Sequence, residues 1–213
     1  MAENSQSAPP AKAAAAKKKA PSMKEELLQL KRERILDAAA ELFLQHGYHR
    51  CTLDAVAKEL GFTKSIIYYQ YKDKSQLLAA ICGYGANITS QLLEQTQQEH
   101  STPTEQIRWF CQEMSRLVAQ RGTYLTVYLH EVTSLAEQDR KAISRIRAEI
   151  DDKLTQIVEH GVQSGEFHCE DVVSATRAMT GMISISFQWY RKELMTEEQF
   201  VERMTALAMK LLK

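Results

Sequence analysis

Residues 61–74, GFTKSIIYYQYKDK, set three tyrosines and three lysines within fourteen positions. A buried segment would exclude Lys64, Lys72 and Lys74, and a purely solvated one would exclude Tyr68, Tyr69 and Tyr71. Together they suit a surface that meets a negatively charged, partly apolar partner. Other reactive side chains are scattered. His46 and His49 are three apart but fall at a predicted helix end. His168-Cys169-Glu170-Asp171 carries metal-capable atoms, yet adjacent side chains diverge and no second cluster completes a site. No GxSxG, glycine-rich phosphate loop or HExxH occurs. The expectation is a protein that is not an enzyme and has neither metal nor cofactor.

The elements that position the tyrosine–lysine stretch are predicted to be helical throughout. Of 213 residues, 44% are hydrophobic, and only eight glycines and four prolines interrupt the pattern. Residues 1–22 are mostly Ala, Lys, Pro and Ser without an aromatic residue, a composition that predicts a disordered basic tail. It would either track a DNA backbone or solubilise the chain. Helical periodicity begins at Met23 and runs to His46, with Gly47 as its stop. Thr52 precedes DAVAKEL as an N-cap for a short helix ending at Gly61, and Thr63 is placed to cap a second short helix, KSIIYYQY. Two short helices separated by Gly61-Phe62-Thr63 form a helix-turn-helix.

Longer helices are predicted beyond: Lys74–Gln98, Thr104–Gln120 stopped by Gly122, Tyr124–Leu135, Arg140–His160, Asp171–Lys192 and Glu197–Leu212. The fold class is therefore all-α, with about nine helices. Net charge is zero, but residues 1–74 carry a surplus of four positive charges and residues 75–213 an equal deficit, as a DNA-binding head on a non-binding body would. Cys51, Cys82, Cys111 and Cys169 lack short paired spacings, as reduced thiols do. No apolar run reaches the length of a membrane span and the N-terminus has no signal-peptide pattern, so no membrane association and a cytoplasmic location are expected.

From Arg34 to Leu78 the chain reads RILDAAAELFLQHGYHRCTLDAVAKELGFTKSIIYYQYKDKSQLL, and residues 32–80 resemble the tetracycline-repressor family of bacterial transcriptional regulators. The resemblance lies in AAxxLF followed by HGY, Thr52, VAKELGF, the Ile67-Tyr68 pair and KDKSQL. Two departures are Ile66, where a small residue is common, and tyrosine rather than phenylalanine at Tyr71. The resemblance implies a helix-turn-helix DNA-binding domain over 23–74 and a ligand-binding and dimerisation domain over 75–213. Double-stranded DNA with a palindromic operator is the implied partner, bound by a homodimer. In a major-groove helix the N-terminal residues reach base edges while flanking groups hold phosphates. Lys64 and Ser65 are assigned to base or phosphate contact, Tyr68 to a phosphate, Tyr69 to sugars and thymine methyls, and Lys72 to the same basic face. Thr52 and Lys74 are assigned to clamp the backbone on either side of the groove. Tyr71, three residues after Tyr68, is expected to face the core with its hydroxyl at the rim.

Helix 171–192 is apolar around most of its circumference, which predicts burial on two sides, and Phe200, Met204, Leu207 and Leu211 form a single stripe suited to a dimer interface. Trp109, Phe110, Tyr124, Tyr128, Met179, Met182, Phe187 and Trp189 could line a cavity for an apolar effector or serve as ordinary core. The pattern from His130-Glu131 through Arg147 to GVQSGEF and Gln188-Trp189-Tyr190 is similar to repressors that sense coenzyme A thioesters of acyl or sterol-fragment catabolism. That resemblance implies Arg121, Arg147 and Arg177 as phosphate partners. Alternatives are a regulator of a coenzyme-A-free hydrophobe and a purely structural helical dimer.

Overall fold

A computed structural model describes residues 22–213; the expected basic tail falls almost wholly outside that range. Eight α-helices and three short 3-10 turns make up the regular structure of the described residues: α1 (Met23–His46), α2 (Leu53–Leu60), α3 (Lys64–Gln70), α4 (Lys74–Glu99), α5 (Pro103–Glu131), α6 (Glu137–Gln163), α7 (Val172–Ile185) and α8 (Glu197–Lys210). Among the described residues no helix is long and apolar enough to cross a membrane.

Local chemistry starts and stops most of these helices. Ser22, Thr102 and Thr196 each head a capping box, and Thr52, Asp73 and Asp171 accept a backbone N–H of the first turn. Thr63 was expected to cap α3, but its hydroxyl is 2.9 Å from Ser65 Oγ and makes no bond to the helix backbone. Gly61 ends α2 in the left-handed region (φ 64°). Phe62 N–H then closes on the Ala57 carbonyl at 2.9 Å, which turns the chain sharply into α3.

Three of the predicted helices differ from the observed ones. The pair expected at Thr104–Gln120 and Tyr124–Leu135 is one helix, α5, whose break is confined to Arg121 (φ −124°, ψ 26°). Gly122 does not stop it. A Cβ there would meet Phe187 Cβ at 3.2 Å, so glycine allows the chain after α7 to lie close. The helix expected over Asp171–Lys192 ends at Ile185 and passes through a 3-10 turn, Ser186–Gln188.

Two apolar cores result. One joins α1, α2, α3 and the first half of α4 to Tyr124, Val127, Leu135 and Ile143, tying the helix-turn-helix to the body. The other fills the space among α5, α6, α7, α8 and the far end of α4, with Phe110, Phe200, Leu154 and Met179 at its centre. Phe200 and Met204, expected at a dimer surface, are fully buried in this second core, whereas Leu207 and Leu211 are 46% and 41% exposed. The stripe straddles the edge of the buried face, and its larger, earlier members point inward.

Candidate DNA-reading surface and effector cavity

Helix α3 has one buried and one open face. Ile67 and Tyr71 are buried against α1, α2 and α4, and Tyr71 Oη accepts a hydrogen bond from Arg32 Nε at 3.1 Å. Lys64, Ser65, Tyr68, Tyr69 and Lys72 are exposed, a stripe spaced one turn apart. Lys64 ion-pairs with Asp54 of α2, and both groups are solvent-exposed. The hydrogen bond that Lys64 donates to that carboxylate raises the Lys64 pKa. Thr52 is exposed; its oxygen accepts Ala55 N–H at 3.1 Å, which leaves its hydroxyl proton free to donate.

Lys74, expected to clamp the DNA backbone beside the groove, is half-buried and engaged within the protein. Its Nζ donates to the Tyr48 carbonyl at 2.8 Å and the His49 carbonyl at 2.9 Å and stands 4.4 Å from the Tyr48 ring centroid. The ammonium thus pins the turn before α2 to the start of α4.

In the body, a cavity of about 260 Å³ lies among α4, α5, α6 and α7. Phe110, Met114, Leu125, Tyr128, Ile143 and Ile150 give it apolar walls, and Arg147, Asp151, Arg177, Thr180 and Ser184 add polar groups. The Arg147 guanidinium lies 5.2 Å from the Tyr128 ring centroid. Among the described residues neither Arg147 nor Arg177 has a carboxylate within 4.0 Å.

Of the eleven residues expected at this site, Phe110, Tyr128, Arg147 and Arg177 line it, and seven, Phe187 and Arg121 among them, do not. Trp109 stands 5.5 Å from the His100 ring. Met179 is fully buried in the second core, against which Met182 packs. Trp189 is half exposed, edge-on to Phe200 at 5.8 Å. Tyr124 turns away towards α1, where its hydroxyl donates to Asp37 Oδ1 at 2.7 Å. Burial first, and the Asp37 carboxylate second, push the Tyr124 phenol far above its ordinary pKa. Arg121, expected to meet a phosphate, donates to the same oxygen at 2.6 Å. The small α4 residues Gly85, Ala86 and Thr89, which do line the cavity, were missed. The available signal was their spacing of three to four residues, shared by Arg177, Thr180, Gly181 and Ser184 on α7.

The family profile described as "Bacterial regulatory proteins, tetR family" matches residues 35–81, and that described as "Tetracyclin repressor-like, C-terminal domain" matches residues 100–212. The chain belongs to the tetR family. This is a family of DNA-binding transcriptional regulators, and its N-terminal profile covers the whole open face of α3. The HTH-type transcriptional regulator YxaF of Bacillus subtilis is 35% identical over 80 residues, 37% of this chain and 42% of that one. The chain thus spans less than half of that relative. The fatty acid metabolism regulator protein of Bacillus subtilis is 26% identical over 132 residues, 62% of this chain and 68% of that protein. Among solved structures, AibR in complex with isovaleryl coenzyme A and operator DNA shares this tetR-family fold, with a TM-score of 0.67 at 24% identity, covering 83% of this chain and 97% of that one.

Proposed function

We propose that this tetR-family protein is a cytoplasmic, ligand-responsive transcriptional regulator: a homodimeric repressor that reads a palindromic operator and leaves it when an apolar effector binds. The observation that carries the DNA-binding part is the open face of α3. Two large aromatic rings stand in solvent there, Tyr68 at 50% and Tyr69 at 79% exposure, between Lys64 and Lys72. Lys64 and Ser65 reach base edges or phosphates, Tyr68 and Lys72 hold phosphates, and Tyr69 lies against sugars and thymine methyls, with Thr52 donating from the start of α2. The reading unit spans 23–74, and residues 75–213 carry the effector site and the dimer surface.

The effector is an acyl coenzyme A thioester or a smaller amphipathic acid. By comparison with an apolar cavity of 150 Å³ that holds benzene, a volume of 260 Å³ takes roughly ten heavy atoms. That is enough for a medium acyl chain, with anything larger left outside. Arg147 and Arg177 are free to meet phosphate or carboxylate. The AibR complex supports the thioester reading only at the level of shared fold; the walls of this cavity carry it here. Gel shifts with DNA from beside the gene test the function. The expected result is a retarded band that octanoyl coenzyme A or decanoate releases. A chain that retards no such duplex is not a regulator of this kind, and release by decanoate alone removes the thioester.

A further inference from the structure

Helix α5 forms one wall of the cavity and also braces α1, and its single break lies where the two meet. Leu117 and Val118 line the cavity before the break, Leu125 and Tyr128 after it. The shape of the cavity therefore depends on the angle between the two straight halves of α5. On the α1 side of the break, Arg121 Nη1 and Tyr124 Oη converge on one atom, Asp37 Oδ1. One turn further along α1, Glu41 accepts from Thr123 Oγ1 at 3.2 Å. Two donors from residues 121 and 124 can share one acceptor oxygen only over a narrow range of that angle. Around them, Tyr84 of α4 stands edge-on to Tyr124 at 5.0 Å, and the Arg121 guanidinium lies 5.8 Å and 5.5 Å from the Tyr84 and Tyr124 ring centroids. Helix α1 in turn holds the helix-turn-helix through Ile35, Ala39 and Phe43.

We infer that the Asp37–Arg121–Tyr124 junction is the latch through which occupancy of the cavity reaches the DNA-reading unit. Closed, it fixes the bend of α5 and the seat of α1. A molecule wedged between the two halves of α5 and the facing helices changes the bend and draws a donor away from Asp37, and α1 is released to tilt with α2 and α3. The cavity touches the moving parts directly, as any ligand that shifts a two-state equilibrium must. The biological meaning rests on the regulator reading above; the mechanical coupling does not.

Amide hydrogen exchange tests the latch without operator, dimer or effector. Ala86→Phe fills the cavity from α4, and Ala86→Leu is the smaller filler should the first misfold. Amides 37–43 should exchange at least tenfold faster in the filled protein than in the parent. Tyr124→Phe alone, which removes one donor and keeps the ring, should accelerate the same amides. Combining the two should add little, since both act on one latch. Parent-like exchange in the folded fillers, or accelerations that simply multiply, overturns the inference. As a second measurement, reciprocity requires Tyr124→Phe to bind anilinonaphthalene sulfonate in the cavity several-fold more tightly than the parent; unchanged or weaker binding counts against the latch. Operator binding is followed in parallel. If the parent retards no DNA, the regulator reading fails while the exchange data still decide the latch.

Discussion

Lys64 and Lys74 lie ten positions apart, as the first residues of α3 and α4, and their surroundings give them different work. The Lys64–Asp54 pair is solvent-exposed, and such pairs are worth little, so a phosphate can replace the carboxylate at little cost. Lys64→Ala should leave thermal stability unchanged and lower the salt slope of operator binding by about 1. Lys74 bonds two carbonyls and a ring. Lys74→Ala removes both hydrogen bonds and the contact with the Tyr48 ring, a loss of about 1–3 kcal/mol, and should drop Tm by several degrees in a thermal melt. A Lys74→Ala protein with parental Tm but weakened DNA binding would restore the phosphate role. Burial pushes the Cys82 and Cys111 thiols up to about 12. Folding thus holds protons that the unfolded chain releases from about pH 9 upward. Stability is complete below that pH and should fall above it by up to about 1.4 kcal/mol per pH unit for each thiol. Urea melts at pH 8, 9 and 10 check this, and Cys82→Ala should flatten the dependence.

Among the elements, those set by local chemistry were the ones the sequence foretold. The ends of α1, α2 and α4 follow from Gly47, Thr52, Gly61 and Asp73, which act within four residues of themselves. The helix-turn-helix, carried by such signals and a strongly patterned resemblance, was legible to within a residue or two. Elements shaped by distant partners were not. Gly122 looks like any helix stop until Phe187 is seen lying across it, and Tyr124 looks like a cavity wall until its hydroxyl is found on Asp37, 87 residues away. Period alone likewise put Phe200 and Leu207 on one stripe; which of them faces inward depends on how α8 rolls against α5. The distinction has a measurable consequence. Phe200→Ala should cost about 3–5 kcal/mol of folding stability, whereas Leu207→Glu, at an exposed site, should alter it by about 0.5 kcal/mol or less in the monomer. Denaturant melts of the two variants discriminate the roles.

For the molecule as a whole, the exposed apolar side chains form two main groups, one on α1 (Met23, Leu27, Leu28, Leu30 and Leu44) and one on the last two helices and the link between them. Val173, Ile185, Leu207 and Leu211 are each about two-fifths exposed, and small residues at Ser174, Ala178 and Gly181 lie open beside them. A twofold pairing through this face would give the closed symmetry that a palindromic site requires. Leu207→Glu combined with Leu211→Glu should therefore yield folded monomers by light scattering and circular dichroism, with operator affinity reduced at least a hundredfold. A dimer that survives both changes places the interface elsewhere.

The connection from α6 to α7 reads as a loose, glycine-bearing loop, but it is clasped on three sides. Phe167 sits so close to Gly161 that a Cβ there would come within 2.2 Å of its ring. Glu166 accepts Thr104 N–H from the head of α5 at 3.0 Å, and His168 N–H bonds the Leu212 carbonyl beyond α8 at 2.9 Å. A protease needs a stretch of extended, unhindered chain, and this loop cannot supply one without pulling three helix ends apart. The segment 189–196 is held only at its ends, where Trp189 and Tyr190 pack on Phe200 and Met195 on the second core. Between them Leu194 stands 83% exposed, and the Arg191 side chain bonds only carbonyls one and three residues away. Within residues 22–213, limited trypsin digestion should therefore cut first after Arg191 or Lys192, with α8 staying bound through Phe200 and Met204, while chymotrypsin leaves Phe167 intact until the fold is lost.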